Sequence, residues 1–88
     1  MKWNVRLAKH AAKQLEKAPR DYYELLLKKL RETADDPFRG DVVQLKGKEW
    51  KGYYRKRAGR YRIIFLPHQS DHTVDVISIL TRDEKTYR

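Results

Sequence analysis

Eighty-eight residues with no cysteine make one small domain, 1–88, that has neither a disulfide staple nor thiolate chemistry. The longest apolar run, Leu25-Leu26-Leu27, is far too short to span a membrane, and the opening MKWNVRLAKH lacks the apolar core of a secretion signal, so a cytoplasmic protein is expected. Twenty-one Lys and Arg against twelve Asp and Glu leave a net charge of +9, which suits a nucleic acid or an acidic protein as partner.

Trp3, Val5 and Leu7 alternate with polar residues and predict a short, half-buried strand. The period then changes. Ala8, Ala11, Ala12, Leu15 and Ala18 recur at helical spacing and predict a first helix over 8–18, with alanines that permit close packing. Pro19 interrupts the pattern. Asp21, with Glu24 three residues later, reads as the N-cap of a second helix over 22–34, whose apolar stripe is Tyr23, Leu26, Leu27, Leu30 and Ala34. Two helices joined across one proline predict a helical hairpin.

Phe38 to Asp41 reads as a polar loop, and Val42, Val43 and Leu45 as the start of the next strand or its lead-in. The stretch from Gln44 to Phe65 holds eight basic residues against one acid, Glu49. Its second half predicts two strands around a turn at Ala58-Gly59, with Arg55, Arg57, Arg60 and Arg62 on one sheet face. Such a face favours an anion. Arginine forks match phosphate oxygens, and Tyr53 could stack a base, whereas the parity of Tyr61 places it in the core. Lys46, Lys48, Lys51, Tyr53 and Arg60 are therefore candidate nucleic-acid contacts, RNA contacts under the resemblance given below. Pro67 to His72 reads as a turn and Thr73 to Thr81 as a final interior strand.

The expected fold is α+β, in the order β-α-α-β-β-β, with the helical hairpin packed on one face of a small, mainly antiparallel twisted sheet. His10, His68 and His72 read as surface residues; the grouping His68, Asp71, His72 offers no nearby fourth ligand, so no metal site is expected.

This order, with LKG at 45–47, YYRKRAGRYRIIF at 53–65 and VISILTRDEKTY at 76–87, resembles the RelE/ParE toxin superfamily of bacterial and archaeal toxin–antitoxin systems. The resemblance spans essentially the whole chain. It implies a RelE-like fold and a RelE-like activity: a ribosome-dependent endoribonuclease that cuts mRNA in the decoding site, needs no metal or other cofactor, and is held by an acidic antitoxin in a hetero-oligomer. ParE-like members of the superfamily act instead on DNA gyrase, and a non-catalytic nucleic-acid-binding module is a third reading. Carried over residue by residue, the catalytic positions fall on Arg55, Arg57, Arg62, Arg82 and Tyr87. The chain departs from the pattern at three points. Arg55 and Arg57 stand where some family nucleases have lysine, so here they could only stabilise charge. Lys56 occupies a position that the family keeps apolar. The interval from Arg82 to Tyr87 is one residue shorter than in the best-known nuclease branch. Strand cleavage through 2′-OH attack on the adjacent phosphorus needs a proton acceptor for the 2′-OH, donors for the phosphate oxygens and a proton for the leaving 5′-oxygen. The arginines supply the donors, and Tyr87 is the matched residue that can titrate.

Overall fold

The computed structural model describes residues 3–81. Within them run β1 (Asn4–Leu7), α1 (Lys9–Lys17), α2 (Arg20–Asp35), β2 (Val42–Gln44), a single 3₁₀ turn (Lys48–Trp50), β3 (Tyr54–Ala58), β4 (Tyr61–His68) and β5 (Thr73–Thr81). The strands form one sheet in the order β1-β5-β4-β3-β2. β1 pairs parallel with β5, and every other pairing is antiparallel. The α+β architecture is the expected one, with one strand more. Val42–Gln44 is an edge strand in its own right, so four strands follow the helices rather than three.

Both helices pack on the same sheet face. Ala11 and Leu15 of α1 and Leu26 and Leu30 of α2 meet Ala58, Ile63, Phe65, Val74, Val76 and Ile79 of the sheet. Ala11 is fully buried, which lets α1 lie close to β5. Each fully buried Leu or Ile contributes on the order of 1.5–3 kcal/mol.

α2 starts earlier than expected. Pro19 is its N-cap, with φ −56°, and its carbonyl accepts a hydrogen bond from the Tyr23 amide at 2.7 Å. Asp21 therefore lies inside the first turn and caps nothing through its side chain; its charge still suits the positive helix end. The helix stops before Pro37, because the residue preceding a proline is driven out of helical geometry, and Asp36 is extended at φ −159°, ψ 104°.

The β3–β4 turn sits one residue later than the expected Ala58-Gly59. Ala58 pairs with Tyr61, so the loop is Gly59-Arg60. Gly59 has φ +62°, as the first position of a type II′ hairpin turn requires. A side chain there would also meet Leu25 Cδ2 of α2 at 3.0 Å. Arg60 is consequently an exposed turn residue and not a member of the sheet face. Pro67 and His68 likewise belong to β4 rather than to a turn. β3 begins at Tyr54, opposite Phe65, so Pro67 lies past its end, on the part of β4 where a missing N–H breaks no ladder bond.

Lys56 gives the clearest core surprise. Its side chain points at the helices and is 1% exposed. Nζ lies 3.6 Å from Glu32 Oε1 of α2, which is also 3.6 Å from Lys29 Nζ. Burial drives the Lys56 pKa below the ordinary lysine value, only partly opposed by Glu32.

Candidate active site on the sheet face

Strand parity builds this site. Tyr54, Lys56 and Ala58 face the helices, which turns Arg55 and Arg57 to the opposite face. Arg57 stands directly across from Arg62, and Arg55 across from Ile64. Leu80 and Ser78 of β5 continue that face next to Arg62 and Ile64, and Val43 of β2 adjoins Arg55. Arg55, Arg57 and Arg62 thus share one surface as the alternation predicts, without Arg60. Ile64 and Leu80 are only 1% and 2% exposed although they point away from the helices. They give the guanidiniums an apolar floor, where charge interactions are stronger than in water.

The three arginines differ in their surroundings. Arg55 is half-buried, and its Nη1 has no exposed surface and no hydrogen-bond partner among the described residues. A buried, unsatisfied guanidinium nitrogen is costly and calls for an acceptor. Arg57 is exposed and its Nε lies 3.3 Å from Asp41 Oδ2, both side chains being about half open to solvent. Such a surface pair is weak and easily exchanged for another anion. Arg62 is half-buried. Arg82 and Tyr87 lie outside the described residues.

Lys46, Lys48 and Lys51 are exposed on the loop that joins β2 to β3. The loop is held by hydrogen bonds from the Leu45 amide to the Tyr53 carbonyl (3.0 Å) and from the Tyr53 amide to the Trp50 carbonyl (3.0 Å). Trp50 and Tyr53 meet edge to face, with ring centroids 5.4 Å apart. Gly52 approaches Leu66, which has the parity of the arginine face, so this basic loop flanks that surface. Tyr61 is half-buried against the core and tilts onto Tyr22 at 5.2 Å, as its parity predicts.

The histidines part company. His68 is not an isolated surface residue. Its Nε2 is 2.8 Å from Asp75 Oδ2, and Arg6 donates to both oxygens of the same carboxylate at 2.9 and 3.3 Å. Burial pushes the Asp75 pKa up, but the hydrogen bonds from Arg6 and His68 outweigh it and hold the carboxyl below its ordinary value. This Arg6–Asp75–His68 network spans β1, β5 and β4 on the arginine face. His68 lies six residues along β4 from Arg62, or roughly 20 Å at strand rise. Asp71 accepts a hydrogen bond from Thr73 Oγ1, and His72 stacks on Trp3 at 4.6 Å. His68, Asp71 and His72 therefore do not converge, and no group of three His, Asp or Glu suited to a metal occurs among the described residues. Sequence reasoning missed the network because its members come from three strands, Arg6 reaching Asp75 through the parallel pairing of β1 with β5 and His68 through the antiparallel pairing of β4 with β5. The alternation of Arg6 with Val5 and Leu7, and of Asp75 with Val74 and Val76, is the one signal that could have suggested it.

Comparison with known proteins places the fold. The family described as the ParE toxin of the type II toxin–antitoxin system, parDE, matches residues 5–86. No curated protein sequence matches significantly. Among solved structures, the archaeal RelE–RelB complex from Pyrococcus horikoshii OT3 is 25% identical, covers 97% of this chain and 100% of its own, and superposes with a TM-score of 0.80. The RelBE2 toxin–antitoxin complex from Mycobacterium tuberculosis is 20% identical, with coverage of 93% and 100% and a TM-score of 0.82. The intact E. coli RelBE complex is 24% identical, with coverage of 90% and 95% and a TM-score of 0.63. A family match over nearly the whole chain, on a two-helix, five-strand sheet of this topology, identifies the protein: it belongs to the ParE toxin family of the RelE/ParE superfamily and is the toxin of a type II toxin–antitoxin system.

Proposed function

We propose that this toxin is a ribosome-dependent endoribonuclease that cleaves mRNA in the decoding site. The supporting observation is Arg55, whose buried Nη1 lacks a partner among the described residues, on a face where Arg57 and Arg62 stand side by side. A pre-positioned, partly desolvated guanidinium stabilises a phosphorane-like transition state far better than a solvated one. Arg57 supplies a second donor once it leaves Asp41. Arg62, with Arg82 beyond the described residues, supplies the rest. Tyr87 takes the proton from the 2′-OH, with the neighbouring guanidiniums favouring phenolate. Lys46, Lys48, Lys51 and Arg60 hold the flanking backbone as point charges, and Tyr53 is available to a base beside Trp50. The 2′-oxygen bonds to phosphorus as the bond to the 5′-oxygen breaks, and the departing 5′-oxygen takes its proton from solvent, so no metal or other cofactor is invoked.

The partners in this reading are mRNA on the ribosome and an acidic cognate antitoxin, with which the toxin forms a cytoplasmic hetero-oligomer. The solved RelE–RelB and RelBE2 neighbours are themselves toxin–antitoxin complexes, which supports the antitoxin. Toxin expressed without its antitoxin should stop protein synthesis before DNA synthesis in pulse-labelled cells, and mapped mRNA 5′ ends should fall inside codons. A second reading, inhibition of DNA gyrase without catalysis, is favoured by the ParE description of the matching family. DNA synthesis failing first, with gyrase-linked breaks and intact mRNA, would establish it in place of the nuclease.

A further inference from the structure

Helix α1 presents Lys9, Lys13 and Lys17 as one exposed stripe. A spacing of four residues sets successive lysines about one turn apart, each roughly 6 Å further along the axis. Local electrostatics oppose this arrangement. Like charges at i and i+4 repel. The first turn contains no acid, so Lys9 and His10 stand uncompensated at the positive end of the helix. Only Lys17 sits at the favourable end. None of the three lysines makes an ion pair among the described residues; the ion pairs there engage Arg6, Lys29, Lys56, Arg57 and His68. The stripe therefore works against the helix that carries it and gains nothing from the fold.

Its position separates it from the arginine face. α1 lies on the helix side of the sheet, whereas Arg55, Arg57 and Arg62 lie on the other, and the molecule is 24 Å across its thinnest dimension. A single strand lying on the arginines does not also reach the lysines. The chemistry of the stripe selects its occupant. Among the described residues the exposed large apolar side chains are Tyr23, Phe38 and Val43, none of them on α1. Protein interfaces have apolar anchors at their centre and are depleted of lysine there. Contacts with a phosphate backbone need only regularly spaced cations, and lysine serves them as a hydrated point charge.

We propose that Lys9, Lys13 and Lys17 form a second, sequence-independent docking surface for the sugar–phosphate backbone of structured RNA. It rests on the reading of the toxin as an RNA enzyme. The toxin grips an RNA scaffold through α1 and offers the arginine face to the strand it cuts.

The test uses full-length protein and a blunt RNA duplex of about 20 base pairs and arbitrary sequence, with binding measured across a salt series. The variant Lys9→Gln/Lys13→Gln/Lys17→Gln should lower the slope of log K against log salt by about 2–3 and weaken binding about 10–100-fold near physiological salt. Its melting temperature should not fall, because repulsion is removed. Lys28→Gln, which removes one exposed charge of α2 outside both surfaces, should leave duplex binding within about twofold. An unchanged slope in the triple variant overturns the proposal, and so does a loss confined to antitoxin binding. The readout requires no cleavage, so failure of the stripe and failure of the nuclease reading are separate results. A triple variant that binds duplex normally removes the stripe alone, whereas a toxin that binds duplex through the stripe but never cuts mRNA removes the nuclease reading alone.

Discussion

Arg57 on β3 and Arg62 on β4 are directly cross-strand partners, two guanidinium side chains on adjacent strands and on the same face. Like charges so placed destabilise a sheet by roughly 0.2–1 kcal/mol. Arg62→Ala should leave the fold intact while removing a phosphate donor worth about 2–4 kcal/mol in the transition state. Thermal melting with a growth assay checks both halves. A folded Arg62→Ala protein that remains fully toxic removes Arg62 from the site.

Tyr87 separates chemistry from stacking. Among the residues matched to the family it alone can titrate, because every arginine stays protonated. If Tyr87 is the proton acceptor, Tyr87→Phe should slow single-turnover cleavage of ribosome-bound mRNA by roughly 10²–10⁴-fold with ribosome binding near normal. A nearly silent Tyr87→Phe beside an impaired Tyr87→Ala would make Tyr87 a stacking residue. Silence of both would place it outside the site.

Lys56 makes a prediction about pH. Its folded pKa is lowered by burial, so between that value and the unfolded value of 10.5 the unfolded chain binds more protons than the folded one. Stability should rise with pH through this window as the buried ammonium is neutralised. Lys56→Met should abolish that rise and raise stability at neutral pH, by up to about 1–4 kcal/mol as buried ion pairs replaced by apolar residues do. Chemical denaturation at several pH values would show it; a strongly destabilised Lys56→Met would mean that the ion pair with Glu32 outweighs desolvation.

Asp75 acts in the opposite direction. Burial raises its pKa, but Arg6 and His68 more than offset this, so the folded value lies below the ordinary 3.8. The stability it contributes is present above 3.8 and is lost as pH falls through the folded value. Asp75→Asn should flatten this acid limb and leave Arg6 and His68 without their shared acceptor. An acid-unfolding curve identical to that of the unsubstituted protein would show that the network holds nothing.

The arginine face was legible because it depends on a period of two within one hairpin. Arg55, Arg57 and Arg62 needed nothing from elsewhere in the chain to be placed together. The same local logic lost Arg60, since a turn displaced by one residue takes it out of the strand. Val42–Gln44 stayed open between a strand and a lead-in because three residues without alternation carry no periodic signal; pairing with β3 decides it. Lys56 and Asp75 were misjudged or missed for a different reason. Their environments come from Glu32 on α2 and Arg6 on β1, and neither contact leaves a mark in local spacing. The buried Nη1 of Arg55 likewise depends on neighbours that the hairpin alone does not name.

Among the described residues β1 takes its one ladder neighbour from β5, and the Arg6–Asp75 contact that ties them spans 69 residues of sequence. Since β5 also separates β1 from β4, a growing chain that has not reached Thr73 carries a β4-β3-β2 meander and an N-terminal segment with nowhere to pair. Biosynthesis thus delays the domain to its final stretch. The arginines are already made but unsupported, and the toxin acquires its finished surface only when its last strand closes the sheet. A nascent toxin is harmless by construction for most of its own translation, and truncation within β5 should disarm it as thoroughly as any substitution in the site.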